Sequence, residues 1–313
     1  MSYRQTVEAH HRLSYQNNVR MVAQQMQNPL RAAVTIVSAS GEAQDMADLI
    51  DKVEYQEGED YSRRNPENPP KRTRRWLVRP TVIESGQLIT KEEKFDQSQD
   101  PTSSLVVTHT KAVERGIFDR ILGVRKSGSN YVVRPGGIFG AVSEGKTPGS
   151  TKDLAAGNYI AVDAGEDAAA GLTLNKMRAA TEGMELEDFG LESDDEIFGL
   201  ITPKQKTDLL KLAFETGKNL NPFEVKEIEN GRPGSLLGIR WMFTNRLPKD
   251  NNGHRLVPLW TKANIVCGMW QDIEADLFND TSARNLPQCI VDAYPAAGRV
   301  QDEGVRIIRC LEA

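Results

Sequence analysis

The sequence predicts an α+β protein built around one long helix, and three features carry that prediction. From Ser98 to Gly123 an apolar stripe recurs at helical spacing. From Gly41 to Asp60 and from Arg63 to Arg75 two blocks of opposite charge flank a proline-rich turn. Short β-branched runs alternate with amphipathic helices over the rest of the chain. With 313 residues, 39% of them hydrophobic, the chain can build one large domain or two moderate ones. A net charge of -5 argues against a surface given over as a whole to nucleic acid, so charge has to be read locally.

Taken in order, the first 28 residues are polar, although Tyr15, Val19, Val22 and Met26 fall on one helical stripe. That is the pattern of a thin amphipathic arm that needs a partner surface. No apolar run reaches the roughly 18 residues that span a bilayer, and the opening MSYRQTVEAHHRLSYQ lacks the apolar core of a signal peptide. The expectation is a chain made and kept in the cytosol, with no membrane partner. Leu30 to Val37, LRAAVTIV, reads as the first strand.

Gly41 to Asp60 holds eight acidic residues against Lys52 alone; Arg63 to Arg75 holds six basic residues (Arg63, Arg64, Lys71, Arg72, Arg74, Arg75) against Glu67 alone. Between them SRRNPENPP, with three prolines and two asparagines, is turn chemistry, and Trp76 to Val78 resumes a strand up to Pro80. The economical reading is a long two-stranded hairpin with one acidic and one basic arm. Met46, Leu49, Ile50 and Val53 also fit a helical stripe, which leaves the first arm open between strand and helix. An isolated hairpin of this length is marginal in water, so something outside it has to hold it.

In the long helix, Asp100 is placed to cap the first amides and Pro101 to open the first turn. Val106, Val113, Ile117 and Ile121 follow at spacings of seven, four and four, widened by Leu105, Phe118 and Leu122, and Gly123 is placed to stop the helix. Beyond it, Gly123 to Gly157 is Gly-rich, with short strands expected at Tyr131 to Arg134 and Tyr159 to Val162. Thr173 caps a helix whose face is Leu174, Met177, Thr181 and Met184, ending in an acidic loop from Glu182 to Glu196 with eight carboxylates. Ile197 to Ile201 reads as a strand, and Thr202 and Pro203 open a helix that buries Leu209, Leu210, Ala213 and Phe214. Further strands are expected at Leu236 to Asn245, Ala263 to Met269, Gln288 to Ala293 and Gly304 to Leu311. Asp272 to Asn279 stays open between strand and helix.

Little in the sequence points to catalysis. Cys267, Cys289 and Cys310 are odd in number and widely spaced, which suits buried reduced thiols and neither a disulfide framework nor a metal site. The four histidines stand at no ligand spacing, the acidic loop matches no EF-hand, and no Ser-His-Asp or Cys-His arrangement can be drawn from the spacings, so no catalytic residue, metal or cofactor is expected. One formal match remains. Gly140 to Thr147, GAVSEGKT, satisfies the phosphate-loop pattern, and the YIAVD run ending at Asp163 resembles the acid that follows in such enzymes. The mechanism needs a stable helix starting at the Gly-Lys pair, whereas Pro148 and Gly149 follow at once. A nucleotide hydrolase is therefore the alternative reading.

Read together, these stretches resemble the major capsid proteins of tailed bacteriophages, with the Hong Kong 97-like fold. YQNNVRMVAQQMQNPLRAAVTIV resembles that family's N-terminal arm and first strand, the charged hairpin its extended loop, and RRWLVRPTVIESGQLITKEE followed by DPTSSLVVTHTKAVERGIFDRILG its return strand and spine helix. GLTLNKMRAA, EIFGLITPKQKTDLLK and LLGIRWMFTNRLP resemble the axial domain, and AAGRVQDEGVRIIRCLEA the closing strands. The domain plan implied is an arm (1–29), a first strand with extended loop (30–80), a peripheral domain (81–165 and 248–313) with the spine helix (100–122), and an axial domain (166–247).

The resemblance implies a structural, non-enzymatic protein that assembles with itself into hexamers and pentamers, forming an icosahedral head around double-stranded DNA. It would be found in the virion, and in the host cytoplasm during assembly. The implied partners are a separate scaffolding protein, the portal, a cement or decoration protein, and the packaged DNA without sequence preference. Because the family's extended loop and arm reach neighbouring subunits, the implied intersubunit residues are Arg63, Arg64, Lys71, Arg72, Arg74 and Arg75 with Glu54, Glu57 and Asp60, and Val19, Val22 and Met26 from the arm. No motif marks Lys52 or Lys71 for a covalent cross-link. Bacterial encapsulin compartments share the fold and stay as a second alternative.

Overall fold

The computed structural model describes residues 28–50, 52–53, 69–89, 102–191, 195–215, 235–280, 282 and 285–312. The expected arm residues, the cap at Asp100 and Pro101, and the hairpin's turn lie outside them. Side chains at 102–105 and 212–215, which include Leu105, Ala213 and Phe214, are likewise outside the description.

The long helix, α1 (Thr102–Leu122), is the spine of the molecule. Val113, Ile117, Phe118, Ile121 and Leu122 are each no more than 1% exposed, so the stripe read from the sequence is the buried face. Burial of each such side chain contributes about 2 kcal/mol. The helix stops at Gly123, whose φ of 78° lets its amide reach back to Asp119 and Arg120. Two more of its last carbonyls, on Ile121 and Leu122, accept from Ile138 and Phe139.

That face packs on a four-stranded sheet of order β1-β14-β15-β4, formed by β1 (Thr35–Ser38), β4 (Ile83–Leu88), β14 (Ile265–Asp280) and β15 (Leu286–Arg299). Asp272 to Asn279, open in the sequence, is strand, because β14 runs on through it in register with β15. The first strand is shorter than expected. Pro29–Ala32 forms a 3-10 turn with Leu30 buried, since Pro29 fixes the turn's entry, and the strand starts only at Thr35.

The second sheet has six strands in the order β11-β12-β10-β13-β16-β9: β9 (Tyr159–Ile160), β10 (Ile197–Ile201), β11 (Ser235–Leu236), β12 (Ile239–Phe243), β13 (Arg255–Thr261) and β16 (Val305–Cys310). Around it lie α2 (Leu174–Glu185), capped by the Thr173 hydroxyl, and α3 (Pro203–Glu215). The continuous strand expected over Leu236 to Asn245 is two strands joined at Leu237 and Gly238, both at positive φ, which is the geometry of a tight hairpin turn. β13 had no signal because Pro258 interrupts it. β9 ends at Ile160, two residues early. The sheet also crosses the expected division at residue 247. β10 pairs with β12 on one side and β13 on the other, so segment 166–247 shares its sheet and its core with 255–261 and 305–310.

Two smaller sheets complete the description. One is the ribbon β5 (Val124–Ser127) with β6 (Asn130–Val133). The other is the charged hairpin, β2 (Ala43–Ile50) with β3 (Arg72–Val78), extended by β7 (Val142–Glu144) and β8 (Thr151–Lys152) in the order β2-β3-β7-β8. The described part of the acidic arm, Ala43–Ile50, is therefore strand.

Candidate interaction site: the charged hairpin and its root

Antiparallel pairing sets one acid against one base in the described part of the hairpin. Asp48 lies opposite Arg74, and its carboxylate accepts from Arg74 Nε and, at 2.9 Å, from Nη2. The hydrogen bond from Arg74 holds the Asp48 carboxyl below the usual carboxylate range. Arg74 also stacks over Trp76, 5.3 Å from the ring centre, and the Trp76 indole donates to the Gly145 carbonyl at 2.9 Å. Arg72, Arg74 and Trp76 thus share one face of β3, and Thr73, Arg75 and Leu77 the other.

At Arg75 and Leu77 that other face turns inward. Leu77 is 2% exposed and packs with Val266 and Ala296 from the four-stranded sheet, with Met46 reaching the same cluster from a bulge between Asp45 and Ala47. Arg75 is equally buried, and donates to both oxygens of Asp302 at 3.0 and 2.9 Å. Asp302 also accepts from Arg299 Nε at 3.1 Å, while Arg299 Nη1 donates to the carbonyls of Ile138, at 2.8 Å, and Gly140. Glu144, 3.0 Å from Arg75, balances the second guanidinium. Burial drives the Asp302 carboxyl upward, but the hydrogen bonds and charges of Arg75 and Arg299 outweigh it and hold it below its ordinary value. Burial lowers the Arg299 guanidinium, opposed by Asp302.

This root ties three distant pieces together: the hairpin, the turn before β16, and the loop 137–140 that caps α1. It also accounts for the phosphate-loop match. β7 is a strand in that stretch, and Gly145–Thr147 is the turn to β8, with no helix at Lys146. The Gly145 amide is taken by the Arg74 carbonyl at 2.9 Å, and a Cβ at Gly140 would collide with the Arg134 carbonyl. These glycines serve packing.

The other residues expected to act here fall into two groups. Lys71 and Arg72 are exposed, and Lys52 reaches Asp188 in the acidic loop after α2. Arg63, Arg64, Glu54, Glu57, Asp60, Val19, Val22 and Met26 lie outside the described residues. Arg75 differs from them: it is buried, and its guanidinium is engaged within its own chain. The strand period gave the signal for that, since Arg75 shares a face with Leu77. Arg299 and Asp302, three residues apart in a loop-like stretch, carried no signal of their own.

The entry of the N-terminal arm is also fixed. Arg31 donates to both oxygens of Asp272 at 3.2 and 2.8 Å and lies 3.4 Å from Glu114 on α1, which also accepts from Asn28. Among the described residues no cluster of acids, histidines and cysteines could hold a metal, and no helix is long and apolar enough to cross a membrane. All three cysteines are buried and free, and burial pushes the Cys267 and Cys310 thiols up to about 12.

Residues 7–312 match a family described as phage capsid protein. No curated protein matches the sequence. Among solved structures, the chain is similar to the capsid of cyanophage P-SCSP1u, at 12% identity over 96% of this chain and 93% of that one, with a TM-score of 0.65. It is similar to the capsid of a native GTA particle at 13% identity, covering 96% and 95%, with a TM-score of 0.64. The capsid of Ralstonia phage GP4 follows at 12% identity, 96% of both chains and a TM-score of 0.59. At these identities the likeness is one of fold.

Proposed function

The chain belongs to the phage capsid protein family and is a major capsid protein, a structural subunit of the phage shell; from that premise we propose how its parts build the shell. The subunits close into hexamers and pentamers of an icosahedral head around double-stranded DNA, and the charged hairpin lies over a neighbouring copy. One observation carries this reading. The hairpin is fixed at its root by Arg75 and Leu77, while toward its far end Ile50 and Val53 stay 59% and 53% exposed, an apolar surface that a second copy would cover. Lys71 and Arg72, beside Ile50, supply cations for carboxylates of the neighbour, and Glu54, Glu57 and Asp60 supply the reverse. Weak contacts of this kind, repeated over a closed shell, add up.

The six-stranded sheet with α2 and α3 is proposed as the lobe that meets its copies around the symmetry axes, so that the axial unit includes β13, β16 and β9 as well as residues 166–247. The arm before Asn28, clamped at Arg31, reaches a further subunit. Assembly takes place in the host cytoplasm with a separate scaffolding protein, the portal and a cement or decoration protein.

Sedimentation of the purified chain, with negative-stain microscopy of the fast fraction, tests the proposal. Closed particles of uniform diameter are expected, alone or with the scaffolding protein co-expressed. Open sheets or tubes in both conditions would overturn the hexamer-and-pentamer arrangement.

A further inference from the structure

We propose that the loop closing α2 is the receiving surface for the far end of the hairpin of a second copy of this chain, with Leu186, Asp188 and Leu191 as its contact residues. The two surfaces already touch within one chain: Lys52, just past the end of β2, forms an ion pair with Asp188, 136 positions away. Both partners of that pair stay largely in water. The aliphatic side chains around them are uncovered as well, Ile50 and Val53 on the hairpin and Leu186 and Leu191 on the loop, the last two 75% and 60% exposed. An ion pair so solvated holds little by itself.

The loop is a fixed platform. The amides of Leu186, Glu187, Asp188 and Phe189 all donate to carbonyls in the last turn of α2, with Asp188 at a φ of 65°. Phe189 packs against the main core, and the Gly190 amide donates to the Asp195 carboxylate at 2.9 Å. Two leucines held in water on such a platform are apolar surface for a partner to cover. The far end of the hairpin has the matching chemistry. Lys71 and Arg72 are exposed beside Ile50, and Glu185 and Glu187 are exposed beside Asp188, so cations meet carboxylates where aliphatic side chains meet their like. The chain's own hairpin leaves these aliphatic side chains in water, so what covers them comes from outside, and a second copy carries the complementary surface. Exchange between identical copies asks for no new chemistry: the pairing of Lys52 with Asp188 passes from within one chain to between two. Patch and counter-patch are different parts of the chain, which makes the contact head-to-tail, the kind that generates rings of subunits. The inference rests on the reading that the hairpin lies over a neighbouring copy, and adds the surface that receives it.

Mixed assembly tests this. Full chains carrying Val53→Cys and full chains carrying Leu191→Cys are combined, assembled and treated with a short bismaleimide, to which the chain's own three cysteines, all buried, stay silent. Both substitutions fall at exposed positions, and Leu186→Cys takes the place of Leu191→Cys should that variant fail to fold. A linked band of twice the chain mass is expected from mixed particles and from neither variant assembled alone. A link found only inside a chain carrying both cysteines, with no dimer from the mixture, overturns the proposal, because the loop would then be a latch for the chain's own hairpin. Attachment of Leu191→Cys to a co-expressed scaffolding protein in place of the hairpin overturns it too, as does the absence of any link. The shell reading is scored separately, by particle formation of the parent chain. Particles without a linked dimer sink this inference and leave the shell reading intact; a linked dimer in concentrated solution without particles does the reverse.

Discussion

Arg75 and Asp302, 227 positions apart in the chain, meet inside the protein through two parallel hydrogen bonds of 3.0 and 2.9 Å. The pair decides how the hairpin behaves, because it makes the root of an otherwise solvated excursion part of the core. Movement of the hairpin relative to the body is expected to hinge beyond Arg74.

Removing one member of this buried cluster leaves its partners charged and unpaired. Asp302→Ala is expected to destabilise the chain by about 3–5 kcal/mol, read as a lower denaturant midpoint. It should also raise hydrogen exchange at the Gly145 amide, which is held by the Arg74 carbonyl. Arg74→Ala, one residue away but on the solvated face, is expected to leave the midpoint unchanged.

Acid sensitivity has a second focus at the C-terminus. Glu312 accepts from Arg255 at 2.8 and 2.7 Å, from Lys249 at 2.9 Å and from Gln205 at 3.1 Å. Burial raises the carboxyl, but these partners prevail and bring it from 4.5 down to about 2. A lowered folded pKa means that the stability it contributes is complete above pH about 4.5 and is lost as pH falls toward about 2. Glu312→Gln is expected to flatten the denaturation midpoint against pH within that window and to lower it above the window. An unchanged slope would remove Glu312 from the account.

The two faces of α1 predict opposite outcomes. Phe118→Ala, at a fully buried position, is expected to cost about 3–5 kcal/mol in thermal or chemical unfolding. Val107→Ala, at a position 45% exposed, is expected to stay within about 0.5 kcal/mol of the parent chain.

Assembly and folding should separate at the far end of the hairpin. Ile50→Asp with Arg72→Glu is expected to leave the unfolding midpoint of the unassembled chain in place and to abolish fast-sedimenting particles. Normal particles from this double variant would remove the hairpin from the intersubunit contact. Reversal at Arg75 cannot serve this purpose, because its guanidinium holds the chain's own core together.

Much of the architecture was legible because local periodicity wrote it. The α1 stripe, the Thr173 cap, the stop at Gly123 and the opposed charge blocks each follow from spacing or from the conformation one residue type allows. Where the reading fell short, local chemistry was ambiguous. Pro258 masked β13, and the turn at Leu237 and Gly238 passed for continuous strand. At the site, alternation along β3 already paired Arg75 with Leu77, a signal outweighed by the basic cluster around it.

By itself the sequence determined a long amphipathic helix and two adjoining blocks of opposite charge. Only the tertiary structure decided which charges stay at the surface and which are internal. Arg74 and Arg75 are neighbours of one residue type, and the strand sends one into water and the other onto Asp302. A carboxylate 227 residues away leaves no mark in local sequence. The partner of a buried charge is set by where the chain returns, and that is fixed by the packing of the whole core.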